Sequence, residues 1–107
     1  MKNKYSELKV QQGKDIRDLN KIGKRIKWVR EQLKIPQNEV ARQTGLSQSS
    51  YSGRENGVRA IYIEEYLVLA QYFNDHWNQK YETNHPTFED QKIKSITTEW
   101  IMFGILH

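Results

Sequence analysis

Residues 37–56, QNEVARQTGLSQSSYSGREN, constrain the fold more tightly than any other stretch of the chain. Val40 and Ala41 lie five and four residues before Gly45, Leu46 follows it directly, and Tyr51 comes five residues later. Two short helices that cross must bury side chains at these positions. The first helix is expected to start near Gln37, because Pro36 stands where a helix start tolerates a missing N–H, and to end at Gly45, which enters the left-handed region without a Cβ penalty. Ser47 has the chemistry to cap the second helix. Ala41 matters for its size, since a side chain larger than a methyl group would hold the two axes apart.

The pattern is that of a helix-turn-helix. On its second helix, Gln48, Ser49, Ser52, Gly53 and Asn56 share one face at helical spacing, and each is polar or lacks a side chain. Ser50, Tyr51 and Arg54 turn the other way. An outward face of amides and hydroxyls without acids suits the DNA major groove, where amides bond adenine edges in pairs and hydroxyls donate or accept. An ordinary solvated face is the alternative reading of the same residues.

The chain of 107 residues is long enough for one domain with a modest core. No segment approaches the roughly 20 apolar residues of a membrane span. The opening MKNKYSELKV has no apolar core of the signal-peptide kind, and cysteine is absent, so disulfide and thiolate chemistry are excluded. A cytoplasmic protein without cofactor or membrane partner is expected. Charge is unevenly distributed: residues 1–34 hold eleven Lys and Arg against four acids, whereas residues 61–107 hold three against seven. The front half is thus suited to a polyanion and the back half to something else.

Residues 1–20 read as a basic arm, in which Lys2, Lys4, Lys9, Lys14 and Arg17 suit contacts along phosphates or a solvated terminus; a helical turn is expected near Asp15. Ile22, Ile26, Val29 and Leu33 then form the stripe of an amphipathic helix, with Asn20 as its expected N-cap and Lys21, Lys24, Arg25 and Lys27 opposite. Trp28 flanks the stripe, to cover a core edge or seat an interface. After Gly57, residues 58–62 read as a loop carrying Arg59. Ile63, Leu67, Ala70, Phe73, Trp77 and Tyr81 keep helical spacing, with no breaker before Asn84 and Pro86. Residues 84–94 read as loop or extended chain. Thr97 caps a last short helix that packs through Trp100, Ile101, Met102 and Phe103 and stops at Gly104.

IGKRIKWVREQLKIPQNEVARQTGLSQSSYSGRENGVRA resembles the helix-turn-helix of Cro and phage-repressor type regulators, also called xenobiotic-response-element-like, and SITTEWIMFG is similar to the segment that closes many of those domains. The resemblance implies an all-α, five-helix domain over residues 21–107, lengthened by an insertion at about 74–95 and preceded by the basic arm. It implies sequence-specific binding to double-stranded DNA by a homodimeric repressor. Gln48, Ser49, Ser52 and Gly53 take its base-facing positions. Gln37, Asn56, Arg59, Lys24, Arg25 and Arg30 take phosphate-facing ones, and Arg30 with Glu55 forms its structural bridge. Arg54 departs from the resemblance, standing where an apolar or aromatic residue is usual, so it must bend outward or pair, with Glu31 as a candidate acid. Gly53 departs too, where a longer base-reading side chain is common.

The insertion supplies Trp77, Tyr81, Phe88 and Ile93, which are candidates for a dimer interface or for an enlarged core. A second function fits the same resemblance: an antitoxin that neutralises a toxin protein through its acidic half and regulates its own operon. His76, His85 and His107 lack metal-ligand spacing, and Glu82, Glu89 and Asp90 lack an apolar setting that would raise a carboxyl pKa, so no enzyme is expected.

Overall fold

The computed structural model describes residues 17–106. The expectations for Lys2, Lys4, Lys9, Lys14, Asp15 and His107 lie outside the described residues. Helix α1 spans Leu19–Leu33, α2 Gln37–Thr44, α3 Gln48–Glu55, α4 Ile63–Lys80 and α5 Thr98–Phe103. Strands β1 (Thr87–Phe88) and β2 (Gln91–Lys92) form a small antiparallel hairpin between α4 and α5. The described residues form an all-α domain with this one addition.

Local chemistry sets most of the boundaries. Asp18, two residues ahead of the expected cap Asn20, accepts from the Lys21 N–H at 3.1 Å, so α1 begins at Leu19. Its other end is closed by Lys34 in the left-handed conformation, φ 59°. Gly45 ends α2 at φ 77° and Ser47 accepts from the Ser50 N–H at 3.2 Å to open α3, as the residue types predict. Thr97 accepts from the Trp100 N–H at 3.1 Å, and Gly104 ends α5 at φ 71°.

The core is built from α1 outward. Ile22, Ile26 and Val29 are buried on the predicted stripe, and α1 packs against α3, α4 and α5. Val40, Ala41 and Tyr51 are buried at the α2–α3 crossing. The face of α4 differs from expectation. Ile63 and Leu67 are 53% and 57% exposed, while Tyr66, Leu69, Ala70, Phe73 and Trp77 are buried. The first half of α4 is apolar on more than one side, so periodicity permits two phases; Ile61, buried just before the helix, and Tyr66 set the observed one. Phe103 is likewise 55% exposed and lies outside the core.

The insertion enlarges the monomer's own core, one of the two alternatives for Trp77, Tyr81, Phe88 and Ile93: the first and last are enclosed, and Tyr81 and Phe88 are half-buried against the core. Trp77 and Ile93 are sealed inside at 0% exposure, and the Trp77 indole N–H donates to the Ile93 carbonyl at 2.9 Å. Phe88 on the hairpin stacks on Trp28 and Trp100 with centroids 5.0 and 5.8 Å apart, and Tyr81 packs on Trp77 at 4.7 Å. Trp28 therefore closes a core edge. The turn between the strands, Glu89 and Asp90, takes φ values of 50° and 65°, the double left-handed geometry of a two-residue hairpin turn.

Candidate nucleic-acid interface

Helix α3 stands at the surface with its N-terminal half outermost. Gln48 and Ser49 are exposed, Ser52 is half-buried, and Asn56 is exposed beyond the last turn, where its amide donates to the Ser52 hydroxyl at 3.4 Å. No carboxylate belongs to this face. The exposed starts of α2 and α3 carry unpaired backbone N–H groups and the positive ends of their helix dipoles, which favour an anion.

Behind this face lies a carboxylate buried to 1% exposure. Glu55 accepts from Arg30 through Nε at 2.6 Å and Nη2 at 3.1 Å, and from the Gln37 side-chain amide at 3.0 Å. Arg30 also donates to the Ile35 carbonyl at 3.0 Å. One carboxylate thereby ties α1, the start of α2 and the end of α3 together. The fork-on-carboxylate geometry is directional, so it sets the angle of α3 as well as its position. The hydrogen bond with Glu55 holds the Arg30 guanidinium above its ordinary pKa. Arg30 thus acts as a brace through three of its donors, and Gln37 has one amide proton already committed.

A second buried ion pair holds the other side of α3. Arg54 is 5% exposed and meets Glu65 at 2.8 Å, so of the two alternatives it pairs, with Glu65 in place of Glu31 as the acid. The same guanidinium donates to the Ser50 carbonyl at 2.8 Å and hydroxyl at 2.6 Å. Glu65 in turn accepts from the Tyr62 N–H at 2.8 Å, joining the end of α3 to the start of α4. Tyr51 is buried near the Arg30–Glu55 pair; burial, then the Glu55 charge, push its phenol well above the ordinary value.

Four further cations separate. Arg25, half-buried, donates to the Ile101 carbonyl at 3.0 Å and lies against Gly104, so it caps α5; burial lowers its pKa. Arg17 lies over the Tyr66 ring at 5.1 Å. Lys24 is exposed and makes no ion pair among the described residues. Arg59 is exposed too, and its stem lies across Gly53.

Gly23 is a further determinant of how α3 is seated. A Cβ there would overlap the Glu55 carbonyl oxygen and approach that of Arg54 to 2.8 Å, so α1 and the end of α3 meet backbone to backbone. The available signal is a glycine inside an otherwise strong helical stripe, where it lowers helix propensity and needs a packing reason.

The helix-turn-helix family model matches residues 26–74, from the middle of α1 through α2 and α3 into α4. No curated protein and no solved structure matches the chain significantly. The hairpin and α5 lie outside the matched residues, whereas both ion pairs lie within them. The segment 26–74, with two braced crossing helices and an acid-free outer face, belongs to the Cro/repressor-type helix-turn-helix family of DNA-binding transcription regulators.

Proposed function

We propose that the protein is a sequence-specific repressor that presents α3 to the major groove and acts as a homodimer on a near-palindromic operator. The observation that carries this reading is the arrangement of α3: Gln48 and Ser49 outermost, and Glu55 held from behind by Arg30 and Gln37. Gln48 has the reach and the paired donor and acceptor to bond an adenine edge; Ser49 and Ser52 add hydroxyls near it. Asn56 and the exposed Lys24 serve the phosphates on either side.

One such unit touches few base pairs, so selectivity calls for two copies about one helical turn, roughly 34 Å, apart. The exposed apolar residues Ile63 and Leu67, one turn apart on α4, are the surface we assign to that pairing, in place of the residues enclosed in the core.

Selection from a random duplex pool tests the reading. It should enrich a motif of two inverted half-sites. Gln48→Ala should relax the preference at one position of each half-site, and Lys24→Ala should weaken all sequences alike. Equal losses on selected and random duplexes for both variants, or no enriched motif, would contradict the assignment.

A further inference from the structure

The outer face of α3 has a gap, and a side chain from beyond the helix fills it. Gly53 follows Ser49 by one turn on the face that carries Gln48, Ser52 and Asn56. The space in which a residue 53 side chain would grow is already taken: a Cβ there would lie 3.0 Å from Cδ of Arg59, 3.1 Å from Cγ and 3.3 Å from Nε. Gly53 is consequently buried on a face that otherwise points outward.

The backbone holds this arrangement in place. The chain turns at Gly57, φ 73°, and returns so that the N–H groups of Val58 and Arg59 both donate to the Gly53 carbonyl, at 3.0 and 3.2 Å. The stem of Arg59 is thus anchored at its root beside Gly53 and packed along its length over it. No carboxylate among the described residues pairs with its guanidinium, whereas the structure's other arginines near α3 are all engaged: Arg30 with Glu55, Arg54 with Glu65 and Arg42 with Glu39. An exposed arginine kept clear of acids on this face meets the polyanion first.

We infer that Arg59 reads a base edge, supplying from the loop the long side chain that position 53 of the helix lacks. This rests on the DNA-binding reading above and adds a guanine to what the face recognises. The planar fork of arginine matches the O6 and N7 acceptors of guanine with two parallel hydrogen bonds, a pattern that the short hydroxyls of Ser49 and Ser52 cannot reproduce. Gly53 then leaves room for the arginine: even a methyl group there would press on its stem, and a longer side chain would compete for the same space.

A loop arginine that touched only phosphate would act differently, and whether its removal weakens all duplexes alike separates the two roles. Wild type, Arg59→Lys and Arg59→Ala are each taken through selection from a random duplex pool. Gel-shift titrations then use the enriched duplex and versions with each guanine replaced in turn, with circular dichroism confirming that every variant is folded. The expected result is a guanine in each half-site whose replacement weakens the wild type about tenfold or more. That preference is lost in Arg59→Ala and reduced in Arg59→Lys, whose ammonium keeps the charge and a donor but not the planar fork. Gly53→Ala should diminish the same preference and add little in combination with Arg59→Ala. If Arg59→Ala keeps the guanine preference, or weakens enriched and random duplexes by the same factor, the inference is overturned while the DNA-binding reading stands. If wild type enriches no motif, both fall.

Discussion

Arg54 and Glu65, with side chains only 6% and 16% exposed, show how a departure from an apolar pattern is accommodated. Burying either charge alone is expensive, and together they satisfy each other and the Ser50 carbonyl. Arg54→Met is expected to destabilise the protein by about 3 kcal/mol in chemical denaturation, because it leaves the Glu65 carboxylate without its counter-ion. The double change Arg54→Met with Glu65→Leu should recover much of that loss. Tyr51 makes a prediction about pH. Its phenol is raised above the ordinary 10.0, so above pH 10 the unfolded chain loses a proton that the folded chain retains. Stability contributed by the neutral phenol is therefore present below pH 10 and falls as pH rises beyond it. Thermal melts should show Tyr51→Phe less sensitive than wild type between pH 10 and 11.

At the scale of elements, the contact of α1 with the end of α3 depends on Gly23. Alanine favours a helix by about 1 kcal/mol over glycine, and a propensity argument alone predicts that Gly23→Ala stabilises. The backbone oxygens of Glu55 and Arg54 occupy the space of the new methyl group, so the opposite is expected: a net loss of about 1–3 kcal/mol from overpacking, read as a lower urea midpoint. Displacing α3 should weaken DNA binding at the same time. The helix starts and stops were largely legible because capping is local: Pro36, Gly45, Ser47, Thr97 and Gly104 act on their immediate neighbours. The phase of α4 was not, because Ile63 and Leu67 satisfy helical spacing as well as Tyr66 and Leu69 do. Neither was the hairpin, whose turn uses Glu89 and Asp90 without the glycine that signals one.

For the whole molecule, the uneven charge predicts strong dependence on salt. Affinity for the selected duplex should fall with a log–log slope of about −0.9 for each phosphate neutralised, and Lys24→Ala should reduce the slope by about one. Pairing through α4 predicts that Leu67→Lys shifts sedimentation toward the monomer and weakens binding to a two-half-site duplex, with the fold unchanged because Leu67 is 57% exposed.

The sequence by itself determined the crossing helices, their caps, the Arg30–Glu55 brace and the basic front half. Each of these follows from residue types acting over a turn or two, or from a resemblance carried by a compact motif. Tertiary structure alone decided the partner of Arg54, the inward duty of Arg25, the enclosure of Trp77 and Ile93, and the passage of Arg59 over Gly53. Those depend on which surfaces meet across the chain, where several partners of suitable charge or size compete and only packing selects among them.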